Sequence, residues 1–319
     1  MEWKEFPNRF QEIYFEIPKD NPYATMLVGG YQGKLNENGH RYWVYYPEGM
    51  EYSCRHLVLL IPNSLSIDEF LEQTGWKKIA DQEHLLLLMA GSLEDPFLDW
   101  EEAAGRLYDL DKIRNDRTFM DTQRAFSYFA GYGEGAVYGH RFVVERPSTY
   151  ASAAFFGKAE IEKEILASLG SQDIKKREVP CPVCFVGNPS WYSGHILEYW
   201  QAANQTEKEP YQQKQKTIWL PDAAQLESTV EHQPVARVEL LDTNDPMAKG
   251  LAEEVWATFL SRTVRATGIL NGDLHPYRTA EQWGCRRKEI QVDGWTRHWY
   301  EYVPKRLSIL ADKKIPVVV

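Results

Sequence analysis

Short apolar runs alternate with stretches of helical periodicity through most of the chain. Residues 41–47 are aromatic and β-branched, and residues 57–61 and 85–89 are continuously apolar. Runs at 125–130, 150–156, 183–186 and 236–241 complete the set of predicted strands, several of them apolar enough for a sheet covered on both faces. Between them the pattern predicts helices. One runs from 67 to about 81, capped by Ser66 with Glu69 three residues on, and is broken near Gly75. Others are expected over 136–145, 161–169, 195–204 and 247–265, the last with Leu251, Val255, Phe259 and Leu260 on one side. Residues 91–118 are acidic and aromatic with weak periodicity, and 207–215 read as an exposed polar loop. Residues 1–40 are mixed. Gly29, Gly30 and Gly33 read as a β-turn rather than a phosphate cradle, since no Lys-Ser/Thr follows. Alternating strands and helices predict an α/β fold: a mostly parallel central sheet with helices on both faces.

One stretch stands out in this alternation. The apolar run 125–130 leads into Gly131, Tyr132, Gly133, Glu134 and Gly135, and then into the helix at 136–145. Strand, glycine-punctuated turn and helix form the layout of the G-x-S-x-G nucleophile elbow, whose serine position is here Gly133. Glycine readily adopts the strained backbone of such a turn. It has no hydroxyl and cannot attack an acyl carbon. Glu134 is open to two readings, a carboxylate nucleophile or base, or simply the variable residue of the turn, and the second is preferred. His140, on the following helix, reads as a packed or solvated histidine.

Composition narrows the partners. The chain has 319 residues, 43% hydrophobic and 26% charged, which fits a globular protein. A net charge of −10, from 46 acidic and 36 basic residues, argues against nucleic acid as a partner. No apolar run reaches the length of a membrane span, and Met1 to Phe6 lacks a signal-peptide core, so a cytoplasmic location and no membrane partner are expected. Of four cysteines, Cys181 and Cys184 form a C-x-x-C without a second copy, inside an apolar run. They read as core residues rather than a redox or zinc motif. No metal and no cofactor are expected.

The order of these segments resembles the α/β-hydrolase fold, and more narrowly its polyhydroxybutyrate depolymerase-like and feruloyl-esterase-like branch. The likeness rests on 41–47 with 57–61, on 74–81 into 85–89, on 121–124 leading into the elbow, on 146–157, and on 254–259. The resemblance implies a serine, an acid and a histidine in that chain order. Gly133 holds the serine position. After 183–186, where the acid belongs, stand Asn188 and Ser190. Near Asp242 and Asn244, where the histidine belongs, there is none. Ser190 and His195 share a loop-to-helix junction, but no acid is arranged with them. The resemblance therefore implies a hydrolase scaffold with no complete catalytic triad in this chain.

Near its end the sequence repeats its beginning. Arg297, Trp299 and Tyr302 match Arg41, Trp43 and Tyr46 at one constant offset, and 315–319 echo 57–61. Three parts are expected: a degenerate α/β-hydrolase domain (1–270), a connector (271–296), and the first strands of a second similar domain (297–319). Val319 falls inside what should be a central strand, so a fragment is expected. Its partner would be a second hydrolase domain, or fragment, of the same gene product, carrying the triad and taking a small ester substrate. A homo-oligomer is possible. The function expected is the non-catalytic N-terminal part of a tandem esterase. The alternative is a ligand-binding or scaffolding pseudo-hydrolase, for which 11 Trp and 18 Tyr would provide stacking surface. An enzyme with non-standard residues at the elbow is a third reading.

Overall fold

The computed structural model describes residues 4–5, 27–28, 31–35, 40–47, 54–115, 122–172, 179–192, 194–222, 235–266 and 273–303. The chain divides into two compact units, Met1–Pro276 and Tyr277–Val319. The boundary falls inside the stretch read as connector. The expectations for Gly29 and Gly30 and for 315–319 lie outside the described residues.

In the first unit, β1 (Lys4–Glu5) and β2 (Leu27–Val28) form a small antiparallel ladder. The remaining elements begin with β3 (Tyr31–Leu35), β4 (His40–Tyr45) and β5 (Cys54–Leu60). Then come α1 (Ile67–Thr74), α2 (Trp76–Glu83), β6 (Leu85–Ala90) and α3 (Trp100–Asn115). Next are β7 (Thr122–Tyr132), α4 (Glu134–Glu145), β8 (Ser152–Phe156), α5 (Lys163–Gln172) and β9 (Val183–Gly187). The unit closes with α6 (Gly194–Ala203), β10 (Tyr211–Gln213), β11 (Lys216–Trp219), β12 (Val238–Asp242), α7 (Leu251–Thr258), β13 (Thr263–Ala266) and β14 (Asp273–Pro276).

Ten strands make one sheet in the order β3-β4-β6-β5-β7-β8-β9-β12-β11-β10. From β6 to β12 every pair is parallel, while β4 lies antiparallel to both β3 and β6. This mostly parallel sheet, with one opposed strand near each edge (β4 and β11) and an elbow after its central strand β7, is the α/β-hydrolase fold.

Alternate residues of each strand serve opposite cores. Val58, Leu60, Leu88, Phe129, Phe155 and Phe185 pack beneath α3, α4, α5 and α6. Leu57, Leu59, Leu87, Tyr128, Phe156 and Val186 pack beneath α1, α2 and α7. Both faces are therefore covered, as the continuous apolar runs require.

Local signals hold where chemistry is explicit. Ser66 accepts from Glu69 N–H while the Glu69 carboxylate reaches back to Ser66 N–H, and Gly75 (φ +81°) separates α1 from α2. Three expectations need correction. Residues 91–118 contain the 16-residue helix α3, whose inward stripe Ala103, Leu107 and Leu110 is interrupted by a buried arginine, Arg106. The polar loop 207–215 carries the edge strand β10, exposed as expected but paired with β11. The helix expected over 247–265 is only α7. It starts after Gly250 (φ +90°) and is stopped at Phe259, because Thr263–Ala266 pairs with Asp273–Pro276 as a strand.

The second unit holds β15 (Arg286–Val292) and β16 (Trp295–Glu301), an antiparallel hairpin. Asp293 (φ +52°) and Gly294 (φ +82°) form its two-residue turn, a pairing suited to left-handed backbone at both positions.

Candidate functional site

Four neighbouring strands end level with one another. Tyr132 pairs with Phe156, Phe156 with Val186, and Gly187 with Asp242. The residues that follow, Gly133, Asn188 and Asn244, therefore emerge from the same carboxyl end of the sheet, where open α/β sheets hold their ligands.

Gly133 lies between β7 and α4 with φ +55° and ψ −122°. That backbone strains any residue with a Cβ. Its N–H donates to Phe156 O at 3.2 Å, and its carbonyl accepts from Ala136 N–H at 3.1 Å. A Cβ at Gly133 would lie 3.0 Å from Pro62 Cβ. Gly131 is the penultimate residue of β7 and is buried. At Gly135 a Cβ would come within 2.6 Å of Leu60 Cβ, so the glycine lets α4 sit down on β5. The Tyr132 side chain points away into the core, where its hydroxyl accepts from Trp76 Nε1 at 2.8 Å and its ring stacks on Phe156. The turn is thus built as an elbow, with no nucleophile at its tip.

The two positions where the resemblance implies an acid and a histidine meet each other. Asn188 Nδ2 donates to Asn244 Oδ1 at 3.2 Å, although the residues are 56 apart in sequence. Asn188 Oδ1 accepts from Ser190 N–H (2.9 Å) and Ser190 Oγ (2.8 Å), which holds Ser190 in a tight turn beside it. The backbone of Asp242, an exposed residue at the end of β12, donates its N–H to Gln215 O at 2.8 Å. Two amides cannot take up a proton at ordinary pH, so this pair offers no general base.

Glu134 faces the loop after β5. Its Oε2 accepts from Asn63 N–H at 3.2 Å. Asn63 is fixed in turn, donating from Nδ2 to Phe97 O and accepting at Oδ1 from Phe97 N–H, both at 2.8 Å. The loop bearing Phe97 is anchored by Arg106, whose side chain is 1% exposed and reaches Asp95 Oδ1 at 2.9 Å, Asp95 O at 2.8 Å, and Glu102. The loop after this strand is where an α/β-hydrolase draws one of its oxyanion N–H donors. In this chain one N–H of that loop, that of Asn63, is taken by the Glu134 carboxylate. Asn63 was not among the candidate residues, although it closely follows the apolar run 57–61. Its place after β5 was the signal available.

The other candidates are structural. His140 is fully buried, its Nδ1–H donating to Ala159 O at 2.6 Å and its Nε2 accepting from Trp200 Nε1 at 2.8 Å. Burial pushes its pKa down to about 4. His195 contacts Ile161 O at 2.8 Å and lies 3.8 Å from Glu160. Cys181 and Cys184 are free and buried, and burial raises the Cys181 thiol to about 11 and Cys184 well above its ordinary value. Neither is poised as a thiolate. Among the described residues, no group of three or more His, Cys, Asp or Glu could hold a metal ion, and no helix is long and apolar enough to cross a membrane.

No known family profile matches the chain, and no curated protein matches it. Solved structures do. An acetyl xylan esterase from Aspergillus awamori aligns at 9% identity over 67% of this chain and 92% of its own, with a TM-score of 0.48. A feruloyl esterase module from Clostridium thermocellum, complexed with sinapinate, aligns at 12% over 65% and 81%, TM-score 0.42. The fluorophosphonate-binding serine hydrolase F of Staphylococcus aureus aligns at 14% over 50% and 78%, TM-score 0.38. The fold of this chain is defined by its strand order and elbow rather than by these similarities.

Proposed function

We propose that residues 1–276 are a catalytically silent α/β-hydrolase domain, the non-catalytic member of a tandem esterase. The hydrogen bond between Asn188 and Asn244 carries this reading. It joins the two strand-end positions that a working hydrolase gives to its acid and histidine, and it joins them with neutral amides. Gly133 at the elbow tip supports the same conclusion. The repeat of Arg41, Trp43 and Tyr46 as Arg297, Trp299 and Tyr302 supports a second hydrolase domain of the same gene product as partner, holding the Ser-His-Asp site for a small carboxylic ester. A cytoplasmic setting fits this proposal.

The test is turnover of p-nitrophenyl acetate by residues 1–319, together with labelling by a serine-directed phosphonate. We expect neither turnover above buffer nor a labelled serine. Gly133→Ser alone should also stay inactive, because the Asn188–Asn244 pair has no proton acceptor for the new hydroxyl. Turnover abolished by the phosphonate, with one serine labelled in the unsubstituted chain, would overturn the proposal.

A further inference from the structure

The hairpin of the second unit copies the first hairpin of the large sheet in register as well as in residues. Arg297 follows Arg41 by 256 positions (297 − 41). The same shift carries the pair Tyr31↔Val44 to 287 and 300, and Leu35↔His40 to 291 and 296. Arg287↔Tyr300 and Gln291↔Thr296 are the pairs found in β15–β16. The residues of β15 took no part in the sequence echo, so this agreement is independent of it.

The two copies differ in what covers them. In the first, Trp43 is 5%, Val44 0% and Tyr46 7% exposed. Their counterparts Trp299, Tyr300 and Tyr302 are 47%, 47% and 61% exposed. In the first copy the free edge of β4 is taken by β6, antiparallel, with Trp43↔Met89, Val44↔Leu88 and Tyr45↔Leu87. Among the described residues β16 pairs with β15 alone. A lone two-stranded hairpin is marginally stable in water, and an aromatic strand with an open edge invites pairing.

We propose that the edge of β16 at Trp299, Tyr300 and Glu301 is a docking surface for one occupant: an apolar strand lying antiparallel to it, supplied by a second sheet of the same plan. This rests on the tandem reading above and adds the surface and register through which the second domain is joined. The occupant is argued from the first copy, where the matching positions face Met89, Leu88 and Leu87.

The experiment compares amide hydrogen exchange over 295–303 in the purified 319-residue chain and in the product of the uncut gene. Protection of these amides in the longer product, by on the order of a hundredfold over the 319-residue chain, is expected. As a second readout, Trp299→Lys in the longer product should abolish that protection while exchange across β5–β9 stays unchanged. If the gene encodes a second hydrolase domain but 295–303 exchange equally fast in both proteins, the docking proposal falls and the tandem reading stands. If the gene encodes no second hydrolase domain, both fall.

Discussion

At the scale of single residues, the same chemistry means different things in different surroundings. His140 and Asn188 are both polar groups near the carboxyl end of the sheet, yet His140 is a core residue with both ring nitrogens occupied. Its folded pKa of about 4 lies below the ordinary 6.5, so the unfolded chain takes up the proton first as pH falls. Its contribution is complete above about pH 6.5, is lost between there and pH 4, and is constant below. The loss amounts to about 3 kcal/mol. Urea unfolding between pH 4 and 7 checks this: His140→Gln, which keeps a donor and an acceptor but cannot titrate, should flatten that part of the profile. Gly135 gives a second test at this scale. Gly135→Ala places a methyl against Leu60 and should lower stability by roughly 1–3 kcal/mol. Gly105→Ala, whose Cβ meets nothing within 4 Å, should not destabilise α3. Equal melting temperatures for the two variants would contradict the packing described for α4.

Among elements, α3 shows how a buried ion pair hides a helix from sequence reading. Arg106 breaks the apolar stripe, but Asp95 and Glu102 neutralise it, and the backbone of the 91–99 loop and His40 Nδ1 take further hydrogen bonds from it. Removing the arginine leaves two partly buried carboxylates without their guanidinium partner, with the His40 ring beside them. Arg106→Met should therefore cost about 3–5 kcal/mol in chemical denaturation. Because Phe97 holds Asn63 in place, the variant should also disturb the Asn63 and Glu134 backbone amide resonances in NMR spectra. Unshifted resonances would show that the loop is held by other contacts. Helix α7 teaches the opposite lesson. Its periodicity continued past Thr258, but the backbone of Thr263–Ala266 found a strand partner in Asp273–Pro276, and that pairing ended the helix.

For the whole molecule, the ten-stranded sheet draws on residues 31–242 and its two cores on residues 42–260. A chain cut after Pro276 should thus keep the cooperative thermal unfolding of the first unit, with a Tm within a few degrees of that of the 319-residue chain. Loss of cooperativity on truncation would show that residues 277–319 belong to the first unit's core. Residues 271–296, read as a connector, hold strands on both sides of the unit boundary.

The sequence alone determined seven of the ten sheet strands (β4 to β9 and β12), the elbow and the vacancy at Gly133, because each depends on neighbours in the chain: apolar runs bury, three glycines permit a strained turn, and a glycine carries no hydroxyl. It also placed Asn188 and Asn244 at the ends of their strands. Only the tertiary structure joined those two amides across 56 residues, gave the Asn63 N–H to Glu134, and put Arg106 inside between two carboxylates. Those contacts depend on strand order and on loops meeting at one end of a sheet. The free energy of each is set by partners distant in sequence, which local periodicity does not encode.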